Sequence, residues 1–409
     1  MKEWRKLQLG DIAVISYGYT AKASVENIGL KFLRITDIQN DMVNWSSVPY
    51  CQINEDDLQK YKLIDQDIVF ARTGATTGKS YLVCDPPEAV AASYLIRLRI
   101  QDPTVLPQFI SKYFQTSEYW NNISSGISGS AQGGFNASKL SALFVQIPLL
   151  SEQKRIVAIL DETFEGIDRA IANTEKNLAN SRELFESYLN AIFTQKGNGW
   201  VEARLGNLSE VQSGGTPLRS KPEYWGGQIA WYSSGELNDL YTTAPERNIT
   251  DKGLENSNAK LFPKGSLLIG MYDTAALKMS ILDRKAAFNQ AIAGVKPNDK
   301  IDLIFILHAI NFLKPEILSL RRGVRQKNLS LQKIKDIVIA VPELQEQQRV
   351  VRQLASMREE TQRLEAIYRQ KIAVLNELKQ SILQKAFTGE LTADTANQTT
   401  KAAKEGIAA

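Results

Sequence analysis

Pro148-Leu-Leu-Ser-Glu-Gln-Lys-Arg-Ile-Val157 and Pro342-Glu-Leu-Gln-Glu-Gln-Gln-Arg-Val-Val351 are one passage written twice, 194 residues apart. The match extends outward at the same offset. Gly129, Gln132, Lys139 and Leu160 return as Gly323, Gln326, Lys333 and Leu354. Nearer the start, Trp4, Leu9, Gly10, Ile15, Gly18 and Thr20 return as Trp200, Leu205, Gly206, Val211, Gly214 and Thr216, all displaced by 196. Between them, Leu63-Ile-Asp-Gln-Asp-Ile-Val-Phe70 matches Leu261-Phe-Pro-Lys-Gly-Ser-Leu-Leu268, an apolar run after a polar turn that reads as a buried strand. Offsets that drift by a few residues are what loop insertions produce. The chain of 409 residues is therefore one module used twice.

Each copy changes character at the quoted passage. Residues 1 to 150 mix short β-branched and aromatic runs with Gly, Asn and Asp turns, which predicts a mixed sheet with a few helices. From Ser151 to about Thr194 there is no proline, and apolar residues fall at Ile156, Leu160, Ile167, Ile171, Leu178, Phe185 and Leu189. Those steps of three and four, or their sums, make one helix stripe. Ser151 is the expected N-cap. The second run, 343 to 390, carries Leu354, Leu364, Leu375, Leu378 and Ile382 in the same way. Each helix would be roughly 66 Å long at 1.5 Å per residue, too long to bury its stripe on one module. Pairing the two antiparallel in a coiled coil is the economical solution; the alternative is that each packs along its own module. The expected organisation is a module at 1–150, a helix at 151–195, a second module at 196–342 opened by the Lys196-Gly-Asn-Gly199 linker, a helix at 343–390 and a flexible tail at 391–409. The fold class is α+β, two similar mixed domains in tandem joined by two long antiparallel helices.

Composition narrows the chemistry. With 43% hydrophobic and 23% charged residues the chain is ordinary for a soluble protein, and no apolar stretch is long enough to span a bilayer, so a cytoplasmic protein is expected. Cys51 and Cys84 cannot form a disulfide framework or a zinc site. The single histidine, His308, lies in an apolar run and reads as a core residue, so a histidine base has almost nowhere to live. Thr73-Gly-Ala-Thr-Thr-Gly-Lys-Ser80 imitates a phosphate-binding loop, but only three residues separate Gly74 from Gly78, and a strand-like run follows in place of a helix. Copy two has Met271-Tyr-Asp-Thr-Ala-Ala-Leu-Lys278 there, without glycines. Asp85-Pro-Pro-Glu88 reads as a turn, since no aromatic follows the prolines. Asp37 and Glu236 correspond in the two copies, yet no carboxylate cluster for a metal is evident. No catalytic or metal-binding residue is assigned.

Binding residues are sought where the copies differ. Copy one has Ser124-Ser-Gly-Ile-Ser-Gly-Ser-Ala-Gln-Gly-Gly-Phe135 before its helix, with Ser128, Ser130 and Gln132 as polar candidates. Copy two has Arg321-Arg-Gly-Val-Arg-Gln-Lys-Asn328, which supplies Arg321, Arg322, Arg325, Gln326 and Lys327. Arginine can fork onto guanine, glutamine can bracket adenine, and lysine or serine can hold phosphates, so both loops suit a DNA groove with different preferences. Lys22, Lys31, Arg34, Arg72 and Lys79 in copy one, and Arg219, Lys221, Tyr224 and Lys278 in copy two, complete the candidate DNA-contacting set. The net charge of +4 permits such patches without demanding them.

Over almost its whole length the chain resembles the DNA-specificity subunit of type I restriction-modification systems. The resemblance lies in Trp-x4-Leu-Gly at Trp4 and Trp200, Ser213-Gly-Gly-Thr-Pro217, Ile229-Ala-Trp-Tyr-Ser-Ser234, Asp67-Ile-Val-Phe-Ala-Arg-Thr-Gly74 with Gly78-Lys79, the doubled passage quoted first, and Phe193-Thr194 with Phe387-Thr-Gly-Glu-Leu391. It implies two target recognition domains, each reading half of a split, asymmetric double-stranded DNA sequence. It also implies long helices that act as spacer and as docking surface for two methyltransferase subunits, with restriction and translocase subunits in the full complex. S-adenosylmethionine, ATP and Mg would be bound by those partners and no cofactor by this chain, which would be non-catalytic. A related bipartite system with a fused nuclease-methyltransferase partner is the alternative, and a stand-alone DNA-modifying enzyme is disfavoured.

Overall fold

The computed structural model describes residues 4–39, 42–128, 134–319 and 328–393. Two units result, Met1–Glu175 with Gln370–Ala409 and Lys176–Arg369. The division falls inside both long helices, so each unit contains one module and one end of each helix.

In the first unit a four-stranded antiparallel sheet has the order Ala13–Tyr17, Leu95–Ile100, Ile68–Ala71, Ser80–Leu82. The second unit repeats it as Val211–Ser213, Ile292–Val295, Leu267–Gly270, Met279–Ile281. Central strands such as Ile68–Ala71 and Leu267–Gly270 are buried throughout, which explains their continuous apolar runs. A three-stranded sheet stands beside each: Tyr50–Cys51, Leu30–Leu33 and Ala89–Ala91 in one, Arg247–Ile249, Trp225–Tyr232 and Ala286–Phe288 in the other. In both, the middle strand runs antiparallel to its first neighbour and parallel to its second. A two-stranded ribbon closes each module, pairing Arg5 with Ile147 and Val201 with Val341. The sequence repeat is thus a repeat of topology and of register.

The long helices, α1 (Leu150–Gln195) and α2 (Leu344–Phe387), are each unbroken. Helix α1 starts at Leu150, so Ser151 stands inside the first turn and is not its cap. The doubled Pro-x-x-x-x-Gln passage acquires a physical meaning at these starts. Gln153, fully buried, accepts from the Leu106 amide at 2.8 Å and donates to the carbonyls of Thr104 and Pro148, both at 2.8 Å. Gln347 does the same with the Asp302 amide and the carbonyls of Lys300 and Pro342. Each glutamine satisfies three backbone groups of a loop that has no ladder to satisfy them.

The stripes bury in two ways at once. Toward their ends they join the module cores: Ile156, Leu160, Phe164, Ile167, Leu383 and Ala386 in the first unit, Leu189, Phe193, Val350 and Leu354 in the second. They also pack on each other. Lys379 meets Asp168 at 2.8 Å in the first unit. In the second, Arg182 meets Glu365 at 3.4 Å, and Arg358 lies over the Phe185 ring at 4.7 Å. Advancing along α1 while retreating along α2 defines an antiparallel pair. Small polar residues are buried on the helices of each unit, Thr174 in the first and Ser181 and Thr361 in the second, their hydroxyls donating to the carbonyls of Ala170, Leu178 and Arg358. Hydroxyls satisfied within their own helix leave nothing unpaired in the seam. Ile171, Leu178, Phe185, Leu364, Leu375 and Ile382 are half-buried, whereas Leu378, expected in the stripe, is 46% exposed. After α2, Leu391 packs on the first core, Thr392 is buried, and Gly389 lies against Trp4.

Among the described residues no helix is long and apolar enough to cross a membrane. Replacing Gln153 or Gln347 by alanine strands buried backbone groups. Each substitution should lower unfolding free energy by about 2 to 4 kcal/mol, read from urea denaturation. A loss below about 0.5 kcal/mol, the range of neutral surface changes, would contradict the assigned role.

Candidate nucleic-acid interface

In the first unit the candidate cations divide into occupied and free. The Lys31 ammonium donates to the Val48 carbonyl at 2.7 Å and sits 3.9 Å from the Tyr50 ring centroid. Arg34 is spent on Asp37, whose carboxylate takes two hydrogen bonds from its guanidinium, at 2.7 and 3.0 Å, and one from its backbone amide. That pairing raises the Arg34 pKa above its ordinary value. Asp37 and Glu236 correspond because both cap a short turn: Glu236 accepts from the Ser233 amide at 2.6 Å as Asp37 does from Arg34. Arg72 is different. Its guanidinium carbon stands 4.8 Å from the Tyr17 ring centroid, and its buried Nε has no hydrogen-bond partner among the described residues. Lys22 and Lys79 are exposed. Ser128 is the last residue of the helix Ser117–Ser128; Ser130 and Gln132 lie outside the described residues.

The glycine turn that resembles a phosphate loop is a hairpin turn, and the second unit builds it without the glycines. Ala71 N–H reaches Lys79 O at 2.8 Å, and Gly270 N–H reaches Lys278 O at 2.8 Å. Gly78 N–H bonds Ala71 O, and Leu277 N–H bonds Gly270 O. Gly78 has φ +95°, and Leu277 holds the corresponding place at φ +57°. A turn whose hydrogen bonds persist when its glycines go is shaped by the fold and not by a phosphate. Arg72 corresponds to buried Met271, since both accept at their carbonyls from the residue that opens the last module segment, Phe135 and Leu329. The second turn therefore has no guanidinium in the place of Arg72, and Lys278 there donates to Asn238 at 2.9 Å.

In the second unit the Gly-Gly-Thr-Pro motif is a packing device. A Cβ on Gly214 would stand 2.1 Å from the Phe288 carbonyl oxygen, and one on Gly215 2.2 Å from the Asn258 carbonyl carbon. Close approach lets the Trp231 indole donate to Gly215 O at 3.0 Å and the Trp225 indole to Leu218 O at 3.3 Å. The segment leading to Arg219 is thus pinned at both ends, and Arg219 and Lys221 project from it exposed, while Tyr224 is half-buried in the turn that follows. Arg321, Arg322, Arg325, Gln326 and Lys327 lie outside the described residues. Sequence reasoning missed Arg247 and Gln290, which stand beside Arg219 in one groove. Neither belongs to a repeated motif; only the strand pairing of Arg247 with Trp231 brings it there.

Among the described residues no group of three or more His, Cys, Asp or Glu side chains is placed to hold a metal ion. Two like frameworks carry unlike sets of donors, and their chain-wide comparison with known proteins gives one answer. The model for the type I restriction modification DNA specificity domain matches twice, at residues 1–179 and 197–374, and the chain belongs to that family. The type I restriction enzyme StySPI specificity subunit of Salmonella potsdam is 25% identical, covering 95% of this chain and 89% of the relative. The EcoBI specificity subunit of Escherichia coli is 22% identical over 95% of this chain and 86% of its own. The crystal structure of the HsdS subunit from Thermoanaerobacter tengcongensis superposes with a TM-score of 0.64 at 18% identity, covering 95% and 97% of the two chains.

His308 is a core residue. It is 5% exposed, its ring meets Phe185 edge-on at 6.3 Å, and burial, aided by nearby Arg358, lowers its pKa from 6.5 to about 4. A folded-state pKa below the unfolded value means that protonation favours unfolding. The full contribution of the neutral ring is present above pH 6.5 and is lost as pH falls toward 4. Its size is about 3 kcal/mol. His308→Phe should therefore flatten the acid limb of the stability curve measured by denaturant titration between those pH values; an unchanged limb would contradict a neutral buried ring.

Proposed function

We propose that this chain is the sequence-reading subunit of a type I restriction-modification complex, in which each module reads one half of a split, asymmetric double-stranded DNA target. The observation that carries the reading is the pair of modules whose strand order, register and turn hydrogen bonds coincide while their free cations do not. A shared framework places recognition groups alike, and unlike groups specify unlike bases. Phosphate contacts by exposed lysines and arginines would position the duplex and make affinity fall steeply with salt.

Two methyltransferase subunits would dock along the helices, with restriction and translocase subunits joining them. Consistent with docking, α2 leaves Ile367, Val374 and Leu378 exposed on one helical face, and α1 leaves Leu184 exposed. S-adenosylmethionine, ATP and Mg would belong to those partners, and this chain would supply recognition and spacing in the cytoplasm. The homologous chains are named specificity subunits of restriction enzymes, which supports recognition over catalysis.

Helix length then sets the distance between half-sites. Deleting one heptad from the middle of each helix removes about 10 Å of rise, equivalent to about three base steps. Methylome sequencing of cells carrying the variant with its partner subunits should show both half-sites unchanged and the gap between them altered. An altered half-site with the original gap would sink the proposal.

A further inference from the structure

The second unit contains a groove beside its three-stranded sheet. It encloses about 450 Å³ between the Thr216–Arg219 segment, Arg247 and Gln290. Beyond Arg247 it continues into a recess of about 400 Å³ walled by Trp225. Arg219 and Arg247 line both parts. Neither makes an ion pair among the described residues, and Arg247 stands 6.0 Å from the Trp225 ring centroid. Of the two carboxylates that also line the groove, Glu236 is engaged by the backbone amides of Ser233 and Glu246, at 2.6 and 2.9 Å. Gln290 accepts from the Thr216 hydroxyl, which leaves its amide N–H groups to point elsewhere. Glu246, the other carboxylate, is exposed, and beside it the groove offers the two guanidinium forks and the Gln290 amide as donors.

Its floor is preorganised. Trp225 packs edge-on against Trp231 at 5.2 Å, and both indoles hold the segment that ends at Arg219. Its edge is tied to the strand framework: Gln290 precedes Ala291, whose carbonyl accepts from the Met271 amide, and the Met271 carbonyl accepts from the Leu329 amide. In the first unit the strand register puts Pro49 where Arg247 stands and Arg34 where Ser233 stands, and Arg34 is tied to Asp37.

We infer that Arg219 and Arg247 form a guanine-reading cleft, which requires at least one G·C pair in the half-site of the second module and has no counterpart for the half-site of the first. The inference rests on the DNA-reading function proposed above. The acceptors that match a fork are guanine O6 and N7, which lie side by side on the major-groove edge; the other bases present no such pair. The Trp225 ring, 6.0 Å from the Arg247 guanidinium carbon, is within reach of a cation–π attraction that favours holding the fork at this wall.

The test is competitive binding of the complex of this chain with its methyltransferase subunits to duplexes in which each specified base pair is exchanged in turn. Arg219→Ala and Arg247→Ala, with Arg219→Lys and Arg247→Lys as charge-preserving controls, should lose about tenfold or more of the discrimination at a G·C pair of one half-site. All positions of the other half-site should keep theirs. Three results would overturn the inference: discrimination unchanged at every position while overall affinity falls, which is phosphate contact alone; loss at an A·T pair; or equal loss in both half-sites. Absence of any base preference in the unsubstituted complex would instead refute the DNA-reading function. Thermal melting of each variant distinguishes a lost contact from a lost fold.

Discussion

The structure depends on one junction made twice, a phenylalanine at the end of a long helix inserted into the aromatic cluster of a module. Phe193 packs with Trp200, Phe305 and Phe312 at centroid distances of 5.9, 5.3 and 5.7 Å. Phe387 packs with Phe109 and Tyr113 at 4.8 and 5.8 Å, and Phe109 in turn meets Trp4 at 6.3 Å. Burying one such ring is worth about 1.5 to 3 kcal/mol, and aromatic pairing adds to it. The end of α1 is covalently close to Trp200, but the end of α2 reaches Trp4 only through space. The last helix therefore closes on the first module as the middle helix joins the second, and each module receives the start of one long helix and the end of the other.

That closure separates framework from reading. Glutamines at the helix starts, glycines at close approaches and carboxylates at turn caps are all consumed by backbone groups. The exposed or stacked candidate cations among the described residues differ between modules: Arg72 on Tyr17 with Lys22 and Lys79 in one, Arg219, Lys221 and Arg247 in the other. The lone histidine is buried and neutral at physiological pH, which leaves no imidazole for chemistry.

The repeat, the helices and their pairing were legible because each depends on periodicity, which sequence displays directly. Leu378 falls in the apolar period and is nevertheless exposed, since a stripe on two paired helices is wider than the seam it fills. The choice between helices that pair and helices that lie on their modules proved not to be a choice, because Phe164 and Leu354 serve the module cores while Phe185 and Arg358 serve the pair. The recognition residues were less legible. Arg34 carries the same charge as Arg72 in sequence, and only the fold shows one tied to Asp37 and the other lacking a partner at Nε. Arg247 could not be found by repeat comparison, because strand pairing and not motif spacing brings it beside Arg219.

Two like modules with unlike donors must yield one target of two unlike parts. Single-molecule methylome sequencing of cells carrying this chain with its methyltransferase subunits measures that directly. The account predicts one asymmetric motif, two short specified blocks of different sequence separated by a fixed number of unspecified bases. A continuous motif, or two blocks of identical sequence, would contradict it.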